Sequence, residues 1–182
     1  LTFTMMFVAG ARIPYIVAFF GLVGLGAVAA VRFSEYRYAR YVSWMDIEGN
    51  RDGMAYQPFQ SVMSFGSGGT WGLGLGRGLQ VLYLPEAHTD FISAIIGEEL
   101  GFLGILALAA VYLVIVARGV KIALEAADDF GSYLAFGIST LFGVQALTNL
   151  AVAMAILPTK GLTLPFISYG GSSLLVNAAA VG

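Results

Sequence analysis

The 182 residues include nine Lys or Arg, eleven Asp or Glu and a single His, for a formal charge of −2 at pH 7, and 58% of them are hydrophobic. Charged residues make up 11% of the chain, roughly half the share found in soluble domains, and mean hydropathy is +0.83, so the composition is that of an integral membrane protein. The charge balance lacks the basic footprint of a nucleic-acid binder, and with no Cys neither a disulfide framework nor a thiol metal site is available.

Leu1 to Ala11 reads as the tail of one membrane span, and Ile13 to Val31 as a complete span without a charged residue. Leu100 to Ala117 and Phe130 to Leu157 are likewise free of charge, and each approaches or exceeds the roughly 20 residues needed to cross a hydrocarbon core. Leu162 to Gly182 reads as a Pro-interrupted entry into a further helix. Apolar ends and the missing initiator Met lead to the expectation of a piece of a longer chain. The expected fold is therefore all-α, a polytopic helical membrane protein with one long extramembrane loop from Arg32 to Asp90.

That loop opens with Arg32-Phe-Ser-Glu-Tyr-Arg-Tyr-Ala-Arg-Tyr41, where aromatic and basic residues interleave as in an interfacial amphipathic element at headgroup level. A solvated loop with an aromatic belt is the alternative. Farther on, Phe65-Gly-Ser-Gly-Gly-Thr-Trp-Gly-Leu-Gly-Leu-Gly-Arg-Gly78 has neither the G-x-G-x-x-G spacing after a strand nor the G-K-[ST] ending of a nucleotide-binding loop. Its glycines suit backbone that packs closely against helices or a lipid headgroup. Arg12, Arg118 and Lys121 mark short basic turns on one side, which assigns that side to the cytoplasm and residues 32–90 to the outside. The stretch from Glu125 to Asp129 then reads as a solvated inner connector.

Ionisable groups at the edge of an apolar span are costly and mark function, which singles out Glu86, His88 and Asp90 in Leu84-Pro-Glu-Ala-His-Thr-Asp-Phe91. With a helix starting near Thr89, Asp90, Ala94, Gly97, Glu98 and Gly101 share one face, and small residues there admit a close neighbour. Asp90 and Glu98 would lie roughly 12 Å apart, at about 1.5 Å per residue, too far to share one proton. Asp90 is open to two readings, a first-turn acid favoured by the helix dipole or a general base. Glu98 and Glu99 are expected to be structural, paired with basic or amide groups of other helices. His88 has no second His with which to form a zinc site.

Lys160 stands between two Pro-bearing turns in Leu157-Pro-Thr-Lys-Gly-Leu-Thr-Leu-Pro-Phe166, and interrupted helices at membrane depth typically surround binding sites. The following Ile167-Ser-Tyr-Gly-Gly-Ser-Ser173 offers hydroxyls and backbone N–H groups at a helix N-terminus, a natural anion site; ordinary capping by Ser172 or Ser173 is the plainer reading. With Lys160, the segment Ser168, Tyr169, Gly170, Gly171 and Ser172 suggests a phosphate-bearing ligand. Gln145 and Asn149, one turn apart in an apolar helix, are expected to bond to a neighbouring helix.

Leu84-Pro-Glu-Ala-His-Thr-Asp-Phe-Ile92, Ile96-Gly-Glu-Glu-Leu-Gly101 and Leu164-Pro-Phe-Ile-Ser-Tyr-Gly-Gly-Ser-Ser173 together resemble the signatures of the SEDS proteins (shape, elongation, division and sporulation), in order as well as spacing. The Glu-Ala-His form looks more like the cell-division branch than the elongation branch. The resemblance spans the chain and implies the C-terminal half of a ten-helix protein in the bacterial cytoplasmic membrane, with residues 32–90 extracytoplasmic. It implies a peptidoglycan glycosyltransferase that polymerises lipid II on the outer face, partnered by a class B penicillin-binding transpeptidase and other division proteins and embedded among membrane lipids. It makes Asp90 the essential acid, with Glu86 and His88 beside it assigned to substrate. Ser93 departs from the aromatic residue of many relatives, a difference of packing. A divalent cation, magnesium or manganese, is compatible with the diphosphate chemistry, since magnesium binds through one or two carboxylates plus phosphates. Two other classes suit the same residues: a lipid-precursor transporter, because broken helices and intramembrane acids also serve alternating access, and a scaffold for the transpeptidase.

Overall fold

A computed structural model describes residues 2–182; Leu1, the first residue of the expected N-terminal tail, lies outside them. Among the described residues there is no strand, and the chain runs α1 (Thr2–Val8), α2 (Ile13–Arg32), α3 (Glu35–Met45), α4 (Tyr56–Gly68), a 3-10 turn (Gln80–Leu82), α5 (Ile92–Glu125), α6 (Asp129–Ala153) and α7 (Gly171–Val181). α2, α5 and α6 are long and apolar enough to cross a membrane, in line with the three uncharged stretches. α2 opens with Pro in its first turn, where the missing N–H costs nothing. It buries none of its side chains.

α5 and α6 form the central hairpin. Asp128 caps α6 by accepting from the Gly131 N–H at 2.8 Å, which satisfies an orphan donor of the first turn. The Ser132 hydroxyl reaches back to the Ala123 carbonyl at 2.7 Å, and Lys121 pairs with Glu125 one turn on. The connector is thus a tied turn. A side chain at Gly119 would collide with the Ser139 hydroxyl, so its absence sets how closely the two helices approach.

α5 is broken at Gly101, whose φ of 68° and ψ of −164° are non-helical. Only Gly readily adopts this backbone conformation. The break is filled by residues 69–74 of the glycine-rich segment: Leu73 and Gly74 donate to the carbonyls of Glu98 and Glu99 at 3.0 and 2.9 Å, while Phe102 and Leu103 donate to those of Gly69 and Thr70 at 2.8 and 3.3 Å. A helix that is opened by inserted backbone keeps its polar groups satisfied only in this way. Side chains at Gly68 or Gly72 would strike the backbone of α5 at residues 97–101, and one at Gly97 would strike the Phe65 ring. The expected close packing of glycine backbone is therefore present, and it splits a helix.

Within the expected loop α4 is a full helix. Its inward stripe of Ser61, Ser64 and Gly68 is small and not apolar, so hydrophobic periodicity does not reveal it. Ser61 donates to the Ala153 carbonyl at 2.6 Å. The expected interfacial element is α3: Tyr36, Tyr38 and Tyr41 stay exposed, while the Trp44 indole N–H donates to the Ala155 carbonyl and the Arg40 Nε to the Thr159 hydroxyl, both at 2.8 Å.

Candidate active site

Two segments meet at one end of the α5–α6 hairpin. The first, residues 84–91, folds as a turn on a buried cluster of Leu84, Ala87, Phe91, Ala94, Ile95 and Val152. Glu86 begins it in the left-handed region at φ 57°, a strain of about 1–3 kcal/mol for a non-Gly residue, and its carbonyl accepts from the N–H groups of Thr89, Asp90 and Phe91. The Thr89 hydroxyl holds the Glu86 carboxylate at 2.8 Å. Helix α5 starts at Ile92 with Phe91 in the capping position, three residues later than the sequence suggests. Asp90 therefore lies in the turn and caps nothing.

The second segment, residues 154–170, re-enters beneath α3. Leu164 and Pro165 are fully buried, the Tyr112 hydroxyl of α5 donates to the Pro165 carbonyl, and Phe166, at φ 63°, packs edge-on against Phe142 of α6. The Ser168 hydroxyl accepts from the Leu164 N–H at 2.7 Å. No side chain caps α7: Ser172 is exposed, and Ser173 bonds the Thr163 hydroxyl at 2.8 Å instead. The capping reading of these serines is thereby corrected.

The segments are joined at two points. Tyr169 N–H donates to the His88 carbonyl at 2.9 Å, and the Asn149 amide of α6 donates to the carbonyls of both Asp90 and Leu162, at 2.9 and 2.6 Å. Asp90 thereby lies against the Lys160–Gly161 turn, where a Cβ on Gly161 would stand 2.9 Å from the Asp90 Oδ2. The Asp90 carboxylate accepts no hydrogen bond from any described residue, and partial burial, followed by the negative charge of Glu86, raises its pKa above the ordinary carboxylate value. Lys160 is exposed and pairs with no carboxylate among the described residues. His88 and Tyr169 line an open cleft of about 420 Å³ with Ile92 and Ile167. Glu86, His88, Asp90, Lys160 and the 168–172 segment are thus brought together, with Gly171 and Ser172 exposed at the start of α7.

Glu98 is set apart from this group. It is buried, and its carboxylate accepts from the backbone N–H groups of Leu79 and Gln80 at 3.0 and 3.2 Å. The partner is thus the extramembrane loop and not a basic or amide side chain of another helix: the 3-10 turn presents free backbone amide donors, which a carboxylate satisfies well. Glu99 is half-buried and forms no ion pair among the described residues. Gln145, unlike Asn149, has a buried side-chain oxygen without a partner. Ser93 is fully buried, and beyond packing it donates to the Asn149 oxygen at 2.8 Å. Hydrogen bonds from side chains to loop carbonyls and to the Thr159 hydroxyl leave no periodic trace, so the Asn149, Trp44 and Arg40 anchors have no signature in the sequence beyond the polar residue itself.

An all-helical chain with three membrane-length helices, a broken helix and an unpaired carboxylate at the helix ends defines a membrane protein with a polar site at one end of its helices. The chain belongs to the cell cycle protein family that groups FtsW, RodA and SpoVE, whose model matches residues 1–182. It is 48% identical over 183 residues to the probable peptidoglycan glycosyltransferase FtsW of Geobacter sulfurreducens (strain DL-1 / KN400), covering 98% of this chain and 48% of that protein. It is 45% identical over 180 residues to stage V sporulation protein E of Bacillus subtilis (strain 168), covering 98% and 49%. A solved structure described as the structural coordination of polymerization and crosslinking by a peptidoglycan synthase complex superposes with a TM-score of 0.77 at 30% identity, over 98% of this chain and 50% of that one. The chain spans about half the length of the curated relatives it matches.

Proposed function

We propose that this chain carries the acid and the leaving-group subsite of a peptidoglycan glycosyltransferase that polymerises lipid II at the outer face of the bacterial cytoplasmic membrane during division. The observation that carries the proposal is the Asp90 carboxylate, which accepts no hydrogen bond among the described residues and lies against the Lys160–Gly161 turn. A base needs a carboxylate open to its substrate, and a leaving diphosphate needs positive charge and N–H donors. In the reaction, the acceptor sugar's 4-hydroxyl attacks the anomeric carbon of a polyprenyl-diphosphate-linked sugar. Asp90 takes the hydroxyl proton as the new C–O bond forms. The bond to the diphosphate breaks with its electron pair on the leaving oxygen, and the α-linked donor yields a β-linked product in one displacement.

Lys160 and the Ser168-Tyr-Gly-Gly-Ser172 segment hold the diphosphate, with Glu86 and His88 at the entrance. Among the described residues no group of three metal-ligating side chains exists; Glu86 is the side chain that would hold a divalent cation here, and the cation would supply charge neutralisation for the diphosphate. Residues 32–90 face outward, and the similarity to a synthase that couples polymerisation to crosslinking supports a class B penicillin-binding transpeptidase as partner.

The test is Asp90→Asn in the protein at the full length of its relatives, assayed with purified lipid II and no transpeptidase. Size and hydrogen bonding are kept but the base is lost, and strand synthesis falls by about 100-fold or more. Near-normal strand synthesis by a folded variant removes Asp90 as base, and lipid scrambling without strands from the native protein favours transport instead.

A further inference from the structure

Asn149 stands where three separate pieces of chain meet. It lies in α6, is 1% exposed, and its amide makes three hydrogen bonds to three different segments. Two go from the NH2 group, to the carbonyl of Asp90 at 2.9 Å and to that of Leu162 at 2.6 Å. The third comes from the Ser93 hydroxyl of α5 to the amide oxygen at 2.8 Å. Carbonyls only accept, so the NH2 must face them, and the hydroxyl then fixes the oxygen on the other side. The amide can be turned only one way.

Both carbonyls belong to irregular backbone. Residue 90 ends the turn that carries the acid, and residue 162 follows the Lys160–Gly161 turn. Among the described residues no regular secondary structure joins the two segments, and apart from Asn149 the hydrogen bond between them is Tyr169 N–H on the His88 carbonyl. We propose that Asn149 is a positioning residue that sets the spacing of the Asp90 carboxylate from the Lys160 turn by holding the Asp90 and Leu162 carbonyls on one rigid amide. The proposal rests on Asp90 acting as the base. A misplacement of about 1 Å in a catalytic group costs on the order of 100-fold in rate, so the clamp acts through the acid without touching substrate.

The alternative is that Asn149 only satisfies buried carbonyls and supports the fold. Asn149→Asp and Ser93→Ala separate the two readings, because each removes buried hydrogen bonds from the same cluster. Asn149→Asp is nearly isosteric and still accepts from Ser93, but it replaces both donors by an oxygen that repels the two carbonyls. Ser93→Ala removes the hydroxyl and leaves both donors in place. With full-length protein and lipid II, both variants melt at lower temperature. Asn149→Asp lowers kcat per folded molecule by about 100-fold, while KM for lipid II changes far less, and Ser93→Ala keeps most of its turnover. Should Asn149→Asp not accumulate, Asn149→Ser, with one donor for two carbonyls, carries the same comparison.

Wild-type kcat in a folded Asn149 variant overturns the proposal, as does a loss of turnover in Ser93→Ala equal to that in Asn149→Asp. Asp90→Asn run in parallel separates the two hypotheses. If it is inactive while Asn149→Asp is not, the clamp fails alone; if it is active, the base and the clamp built upon it fail together.

Discussion

Replacing Gly101 by Ala puts two demands on the broken helix at once. The φ of 68° is unfavourable for any residue with a Cβ, at about 1–3 kcal/mol. The added carbon would collide with the Gly72 nitrogen and lie 2.7 Å from the Thr70 carbonyl, for about another 1–3 kcal/mol of overpacking. Keeping the wedge in place therefore costs about 2–6 kcal/mol. The alternative is for α5 to straighten and expel residues 69–74. Four hydrogen bonds to the wedge are then lost and two helical ones regained, a net loss of two, or about 1–3 kcal/mol at 0.5–1.5 each. Expulsion is the cheaper response, so Gly101→Ala straightens the helix and frees the loop. Hydrogen–deuterium exchange on the full-length protein should show residues 69–74 losing protection while 102–106 stay protected, with a lower melting temperature in detergent. Unchanged protection of 69–74 together with an unchanged melting temperature would refute the argument that the wedge depends on a Cβ-free residue.

Glu98→Gln keeps one acceptor but loses the charge that holds Leu79 and Gln80 N–H, and it costs about 1.5–3 kcal/mol; melting temperature drops while activity per folded molecule is largely retained, and the reverse pattern would move Glu98 into the chemistry. Lys160→Ala raises KM for lipid II far more than it lowers melting temperature, and an unaltered dependence of rate on lipid II concentration counts against the diphosphate role. With Asp90 as the proposed base, the acid limb of the pH dependence of kcat is shifted up from the ordinary carboxylate value, because the ionised form is the active one and its pKa is raised, so the rate falls as pH drops through that pKa. Glu86→Gln removes the smaller of the two causes, the neighbouring charge, and leaves burial; the limb on its residual rate moves to lower pH only part of the way, and no movement at all would show that Glu86 does not act on Asp90.

The membrane helices were legible because uncharged stretches of about 20 residues have few other uses, and the site segments because polar and Gly-rich motifs interrupt them. The amphipathic start of the loop likewise emerges as α3. What stayed hidden shares one cause: interactions made by backbone. The break at Gly101 reads in sequence as one more small residue on a helix face, since the wedge that opens it lies about 30 residues earlier and pairs through main-chain groups. Ahead of the late start of α5 lies the Glu86 turn, whose carbonyl collects the N–H groups of Thr89, Asp90 and Phe91, a main-chain arrangement that no side chain announces. α4 was hidden for a different reason, because its packing stripe is small and polar, and Glu98 found backbone amides of the loop where a basic or amide group of another helix was expected.

Between the wedge and α6, the acid is fixed from both directions along the chain. Upstream, Glu98 holds residues 79 and 80 against the first part of α5, so the turn at 84–91 leaves a tethered point and must return to Ile92 only a few residues later. Downstream, the same turn is tied to α6 by Asn149 and to the entry of α7 by Tyr169. Buried and half-buried polar groups in folded proteins nearly always find partners, and here the carbonyls of Glu86, His88 and Asp90 all have them. Among the described residues the Asp90 carboxylate has none, although Gly161 sits within reach of a methyl group. A structure that immobilises the backbone of an acid while leaving its oxygens unpaired keeps the proton-accepting function available at a defined place, which is the arrangement a general base requires and a helix cap does not.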